Sequence, residues 1–298
     1  MLRSNWAGNL SYGARGVVIP TTIAAAQEAV RGASKMRALG SRHCFNDIAD
    51  TPGLQISMEN FRSVLALDTE RRQVTVESGI RYGDLGPYLQ AAGFALANLA
   101  SLPHISIAGA CATATHGSGM TLGGLATSVA AIEFIDAAGD LVTLARGDAA
   151  FDGAVVHLGC LGVVTKLTLD IEPEFTMRQC VYRDLPYAEI EAHFDEIMGS
   201  GYSVSLFTDW QHPAIEQLWI KSRVDAGSSV PGDVAYRGAV PAGQAMHPVA
   251  GYDAVHCTEQ GGIDGQSFER LPHFRMGFTP ASGAEIQVEY FVAREDAP

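Results

Sequence analysis

Long apolar runs are missing from this sequence. Nowhere do about 18 apolar residues follow one another, and the opening Met-Leu-Arg-Ser-Asn-Trp-Ala-Gly-Asn-Leu has no apolar core of the kind that directs export. Neither a membrane span nor an export signal is expected, which points to the cytoplasm. Basic charge is scarce as well: 20 Lys and Arg stand against 33 Asp and Glu, a net charge of −13 with no offsetting basic run. Nucleic acid and anionic membrane surfaces are therefore poor partners. The five cysteines, Cys44, Cys111, Cys160, Cys180 and Cys257, are odd in number, widely spaced and without a Cys-x-x-Cys, which argues against a disulfide framework and a zinc site. His104, His116, His247, His256 and His273 include no His-x-x-x-His pair, and no metal is expected. A Gly-x-Gly-x-x-Gly is absent, because Gly117 and Gly119 lead to Leu122, and so is a P-loop. Ser101 and Ser118 lack the Gly-x-Ser-x-Gly elbow of a hydrolase.

Small residues, by contrast, are concentrated in one place. Between Asn98 and Gly119 stand Gly109, Ala110, Cys111, Ala112, Ala114, Gly117 and Gly119, interleaved with Ser101, Ser106, Thr113, Thr115 and Ser118. Such a stretch lets a ligand or a second backbone approach the main chain, and its turn-prone N–H groups suit a large polar molecule carrying phosphate. A small-residue helix packed on a sheet would have the same composition. A second stretch, Ala38-Leu39-Gly40-Ser41-Arg42-His43-Cys44, reads as a strand running into a tight turn, where a pyrophosphate can be held and where His43 can point into the same pocket. A solvent-facing turn histidine is the alternative.

The 298 residues, 47% hydrophobic and 18% charged, suit one large globular domain or two ordinary ones. Thr22 can cap a helix whose apolar face is Ile23, Ala26, Val30 and Ala33, giving a β–α–β opening with a strand at Met36–Leu39. Strands are expected at 54–58, 63–67, around Val74 and Val76, at 128–135, 141–144 and 163–171. Asp84 should cap a helix that holds Pro87 in its first turn and buries Leu85, Leu89 and Ala92; 151–158 should be helical. Trp6 is expected to pack on the domain edge. After Pro173 come strand-like segments holding Tyr182, Val204, Phe207, Trp210, Leu218 and Trp219, a helix at 187–198, an irregular excursion at 226–251 and a strand at 286–293.

Several motifs occur together and in order: Asn5-Trp6-Ala7-Gly8-Asn9, Gly40-Ser41-Arg42-His43-Cys44-Phe45-Asn46, Ala100-Ser101-Leu102-Pro103-His104-Ile105-Ser106, Thr113-Ala114-Thr115-His116-Gly117-Ser118-Gly119 and Gly162-Val163-Val164-Thr165. Ser203 to Trp210, Cys257-Thr258-Glu259-Gln260 and Arg270-Leu271-Pro272-His273-Phe274 continue the pattern through the second half. In this the chain resembles the FAD-linked oxidases of the vanillyl-alcohol oxidase/p-cresol methylhydroxylase (PCMH) type, and within them the alditol oxidases, near the sugar-lactone oxidases.

The resemblance implies an α+β protein: a two-lobed, PCMH-type FAD-binding domain over 1–176, then part of a substrate cap over 177–298 built on an antiparallel sheet. It implies FAD bonded covalently through His43, with Ala38, Leu39, Gly40, Ser41, Arg42, Cys44, Ser101, Ser106, Gly109, Thr113, Ala114, Thr115, His116 and Val164 as further contacts. Val164 matches the position beside the adenine, and Ser101 the serine beside the substrate hydroxyl. The implied reaction oxidises the C1 alcohol of a polyol such as xylitol or sorbitol to the aldose, with O₂ reduced to H₂O₂, in a monomer. Two departures stand out. Arg42 and Cys44 replace the usual Gly and Ser, so that Arg42 either adds a charge contact to phosphate or crowds the turn. The family also continues for about a hundred residues past the point matching Pro298, a domain-sized length. Those residues carry the Glu, Arg and Lys that orient the polyol. A catalytically silent flavin-binding fragment and a lactone oxidase on the same scaffold are the alternative expectations.

Overall fold

The computed structural model describes residues 4–224, 234–277 and 286–297. It opens with β1 (Gly16–Val18), α1 (Ile23–Gly32) and β2 (Met36–Ala38), the expected β–α–β unit. Thr22 starts α1 by accepting the Ala25 N–H at 3.1 Å, and Ile23, Ala26 and Val30 turn inward together. β3 (Leu54–Ile56) lies between β1 and β2 and runs parallel to both. Ile56, Met58, Phe61, Ile135 and Val163 close the core beneath α1.

The next unit is a five-stranded antiparallel sheet. It comprises β4 (Val64–Asp68), β5 (Gln73–Glu77), β7 (Val129–Ile135), β8 (Leu141–Ala145) and β9 (Val163–Asp170), in the order β4-β5-β9-β7-β8. β5 shows why: Val74 and Val76 are fully buried while Gln73, Thr75 and Glu77 between them are not. Ile132, Leu167 and Leu169 are also sealed in, each stabilising the fold by about 1.5–3 kcal/mol. α2 (Tyr82–Ala91), the two-residue β6 (Phe94–Ala95), α3 (Ile107–Ala112) and α4 (Phe151–Val155) surround this sheet, and β10 (Glu172–Pro173) pairs with β6.

Two helices differ from expectation. α2 begins before Asp84 because the Tyr82 and Gly83 N–H groups donate to the carbonyls of Ile105 and Pro103, so a neighbouring segment does the capping. Pro87 consequently lies inside the helix rather than in its first turn, and Ala92 is exposed. α4 stops at Val155, since Leu158 takes a left-handed φ of +53° and its N–H bonds the carbonyl of Ala112 instead.

The second half is organised on β11 (Thr176–Pro186), β12 (Ser203–Phe207), β13 (Ala214–Arg223) and β14 (Val240–Pro241), in the order β12-β13-β11-β14. β15 (Gly265–Gln266) also pairs with β11, and all contacts are antiparallel. α5 (Tyr187–Met198) keeps the expected bounds, and α6 (Ser267–Arg270) follows β15. The chain changes sheet at Thr176 without a break in the core, because Phe175, Met177 and Leu271 pack with the apolar residues of the first half.

Trp210 belongs to no strand and is 82% exposed. Of the expected excursion, 226–233 lie outside the described residues, and 234–251 hold only β14. The segment 286–293 is not a strand: Tyr290 is 89% exposed, and no described strand lies alongside to take its backbone hydrogen bonds. No helix among the described residues is long and apolar enough to cross a membrane.

Candidate functional site

A cleft of about 500 Å³ runs between the β2–β3 edge and the α3 segment. Glycines give it its shape. A Cβ on Gly40 would meet Ser106 Oγ at 3.1 Å and Gly109 Cα at 3.7 Å, so the two backbones approach closely with only the Ser106 hydroxyl beside them. Gly79, just past β5, packs so closely that a Cβ there would fall 2.2 Å from the Met58 carbonyl oxygen. Ser41 Oγ accepts the Ser106 N–H at 3.2 Å, which joins the turn after β2 to the start of α3.

The lining is polar in a particular way. His43, Ser78, Ser106 and His157 line this cleft, and both ring nitrogens of His43, Ser78 Oγ, Ser106 Oγ and His157 Nε2 are buried without a well-formed hydrogen bond. Buried polar atoms are normally partnered, so a run of unpartnered ones along a single groove marks a surface shaped for a polar ligand. Three arginines, Arg42, Arg62 and Arg81, line it against one glutamate, Glu59, in a protein whose net charge is −13. That local excess of positive charge suits an anion.

His43 stacks on Trp6, with ring centroids 5.0 Å apart. Burial lowers its pKa to about 4, helped by His104, so the imidazole is neutral at physiological pH. The chain's beginning pins this turn in place. The Trp6 N–H donates to the Arg42 carbonyl at 2.7 Å and the Asn5 amide to that of Cys44 at 3.1 Å. Arg42 holds φ +65° and sends its guanidinium to the Ser4 carbonyl at 2.9 Å. Its charge thus lines the cleft while its reach is spent on the main chain.

Of the residues singled out from the sequence, Ala38, Leu39, Gly40, Ser41, Arg42, His43, Cys44, Ser106, Gly109, Thr113, Thr115 and Val164 all converge on this cleft. Ala114, Ser101 and His116 are not in its lining. Ala114 is exposed at φ +57°, and His116 meets Glu289 at 3.2 Å. Ser101 sits where the small-residue segment meets the second sheet: its hydroxyl bonds His273 Nδ1 at 2.7 Å and its carbonyl accepts the His273 and Phe274 N–H groups.

Behind that pair lies an apolar wall of Phe207 and Trp219, whose rings stand 5.6 and 5.1 Å from His273. Lys221 is fully buried nearby and donates to the carbonyls of Leu271 and Pro272. Burial lowers its pKa to about 7, and burial beside Lys221 holds His273 well below the ordinary histidine range. Among the described residues Asp209, His212 and Glu216 place three potential metal-ligand atoms within 4.8 Å of one another, but Asp209 is already engaged with the Gln211 and His212 N–H groups.

Sequence reasoning missed Trp6, Ser57, Glu59, Arg62, Ser78, Arg81 and His157 as lining residues. The available signal was Ser78-Gly79, a small polar pair closing the alternating strand β5, in the same strand-into-glycine pattern as Gly40-Ser41.

A family model described as an FAD binding domain matches residues 14–145. The chain is 45% identical over 297 residues to alditol oxidase from a Streptomyces species, covering 99% of this chain and 70% of that protein. It is 38% identical over 181 residues to L-gulono-1,4-lactone dehydrogenase of Mycobacterium tuberculosis, covering 59% of this chain and 42% of the relative. In fold it is similar to cholesterol oxidase from Brevibacterium sterolicum, with a TM-score of 0.65 at 19% identity over 75% of this chain and 47% of that one.

Proposed function

Because the chain belongs to the alditol oxidase family of FAD-linked oxidases, we propose that it oxidises the C1 alcohol of a linear polyol, such as xylitol or sorbitol, to the aldose, with O₂ reduced to H₂O₂. The observation that carries this reading is the glycine-pinched cleft, whose unpartnered buried atoms fit a long polar cofactor within a chain 45% identical to an alditol oxidase. FAD supplies the hydride acceptor that no side chain can provide.

The protein's own residues hold and shield. Gly40 and Gly109 keep side chains out of the groove so that a dinucleotide can lie against the main chain, with Ser41, Ser106 and Ser78 offering hydroxyls. Arg62 and Arg81 set a positive field for its pyrophosphate. His43, neutral and with no well-formed hydrogen bond on either ring nitrogen, is the residue for a covalent attachment to the flavin, and Trp6 fixes its plane. At the junction with the second sheet, the neutral imidazole of His273 accepts the Ser101 hydroxyl proton, which leaves the Ser101 oxygen free to accept from a substrate hydroxyl. Phe207 and Trp219 back His273 with apolar surface that excludes water.

The test is spectroscopic. Under anaerobic conditions xylitol or sorbitol should bleach the oxidised flavin bands of the purified protein, and admitting air should restore them with peroxide formed. Bound flavin that stays oxidised through a panel of polyols contradicts the proposal.

A further inference from the structure

The hairpin that joins β12 to β13 gathers metal-ligating side chains away from the cleft. Asp209 and His212 stand in its loop, and Glu216 lies on β13 just loopward of Gln217, which pairs with Phe207. His212 Nδ1 is 2.8 Å from Asp209 Oδ2 and 3.8 Å from Glu216 Oε1, and the three residues place their ligand atoms within 4.8 Å of one another. A tetrahedral Zn²⁺ with bonds of about 2.0–2.1 Å holds its ligand atoms about 3.3 Å apart. The two separations bracket that edge, so small rotations of the side chains bring all three donors to one ion.

The donors are open to an ion. The Gln211 and His212 N–H groups bond Asp209 at Oδ1, at 2.8 and 3.1 Å, which leaves Oδ2 facing the imidazole. The same N–H groups, that of Gln211 foremost, hold the Asp209 carboxyl below the ordinary carboxylate range, so it is ionised. Among the described residues no Lys or Arg forms an ion pair with Asp209 or Glu216, and two carboxylates converging without such a cation make a site of negative potential. The His212 side chain is 62% exposed and that of Glu216 29%, so a hydrated ion can reach both. The loop is braced as well: Thr208 Oγ1 accepts the Trp210 N–H at 3.1 Å and shares a hydrogen bond with the Tyr187 hydroxyl of α5 at 2.8 Å, while Pro213 restricts the backbone after His212. Little ordering cost therefore opposes binding.

We propose that this hairpin binds a divalent cation of the zinc class through Asp209 Oδ2, His212 Nδ1 and Glu216 Oε1, with water completing the shell. The imidazole donor favours Zn²⁺ over the hard ions Ca²⁺ and Mg²⁺, which take oxygen ligands. The ion ties the loop to β13 beside Phe207, whose ring stands 5.6 Å from His273, and so pins the strand end that backs the Ser101–His273 pair. Its ligands are none of the cleft residues, and the site does not depend on the function proposed above.

The experiment takes the full chain as purified, without a histidine tag, strips it with a chelator, desalts it and titrates it with Zn²⁺ in a calorimeter, with Ca²⁺ and Mg²⁺ in parallel. One Zn²⁺ per chain should bind saturably at the hairpin, and the two hard ions should give no such isotherm. His212→Ala and Glu216→Gln, both at the exposed end of a hairpin, should each weaken Zn²⁺ at least about tenfold, the smallest loss expected when even a supporting group of a metal site is removed. Far-ultraviolet circular dichroism of the ion-free variants should match the wild type. Zn²⁺ binding that survives both substitutions would put the ion elsewhere, and Ca²⁺ bound as tightly as Zn²⁺ would mean a patch of negative charge only. Either result, or no saturable Zn²⁺ binding by the wild type, overturns the proposal.

Discussion

Two clusters of buried polar side chains, one in each half of the molecule, are treated in opposite ways. In the second half Lys221 is sealed from water yet donates to the Leu271 and Pro272 carbonyls. Gln217 there donates to the His247 carbonyl at 2.8 Å while accepting the Trp219 indole N–H at 2.8 Å. In the first half His43, Ser78, Ser106 and His157 are held along one groove, and both ring nitrogens of His43, Ser78 Oγ, Ser106 Oγ and His157 Nε2 lack a well-formed hydrogen bond. Paired atoms specify the fold, whereas unpaired ones are stabilised only when something binds. The difference separates structural polarity from functional polarity, and His273 Nε2, the unpartnered atom where the halves meet, belongs with the second kind.

This contrast can be broken by substitutions that act on one side only. The largest effect is expected from His43→Ala: flavin that stays with the wild-type polypeptide after denaturation should be released completely from the variant, as read by fluorescence of the band on a denaturing gel. Its melting temperature without flavin should fall only by the lost stack on Trp6, because the removed ring nitrogens make no well-formed hydrogen bond.

Lys221→Met should do the reverse, leaving flavin content intact while destabilising the fold at pH 9 by about 1–3 kcal/mol, since two buried carbonyls lose their donor. The sign with pH is fixed by the lowered pKa of about 7 against an unfolded value near 10.5. Between those values the unfolded chain holds a proton that the folded protein has released, so this residue's contribution to stability rises with pH from about 7 to 10.5. Denaturant melts across that window should show the rise in the wild type and its loss in Lys221→Met.

The smallest effect is expected from Arg42→Gly. Glycine relieves a left-handed φ of +65° but gives up the bond to the Ser4 carbonyl and some chain rigidity, so the net change in stability should stay within about 1 kcal/mol by thermal melting.

Local pattern made much of the fold legible. Thr22 before an apolar face marked α1, the alternation around Val74 and Val76 marked β5, and α5 occupies the span read from its sequence. What was not legible depends on distant partners. The start of α2 is set by the carbonyls of Pro103 and Ile105, and the exposure of 286–293 by the lack of a neighbouring described strand, neither of which local spacing encodes. The same holds for the site. Gly40, His43 and Gly109 stood out as a strand running into glycine and a run of small residues, but Trp6, Ser78 and His157 arrive from three separate stretches and meet only in three dimensions. Trp6 was read as an edge residue because nothing in its neighbours reveals the stack on His43.

The account stands or falls on a dinucleotide lying in the groove where the backbones of Gly40 and Gly109 approach. Flavin per polypeptide in purified wild type and Gly40→Val, from the absorbance near 450 nm after removal of free flavin, tests this most directly. We predict close to one flavin per wild-type chain and less than about a tenth of that in the variant, with unchanged far-ultraviolet circular dichroism, because the new side chain fills the space facing Ser106 Oγ and Gly109. A colourless wild type, or a Gly40→Val protein carrying its full complement of flavin, would contradict it.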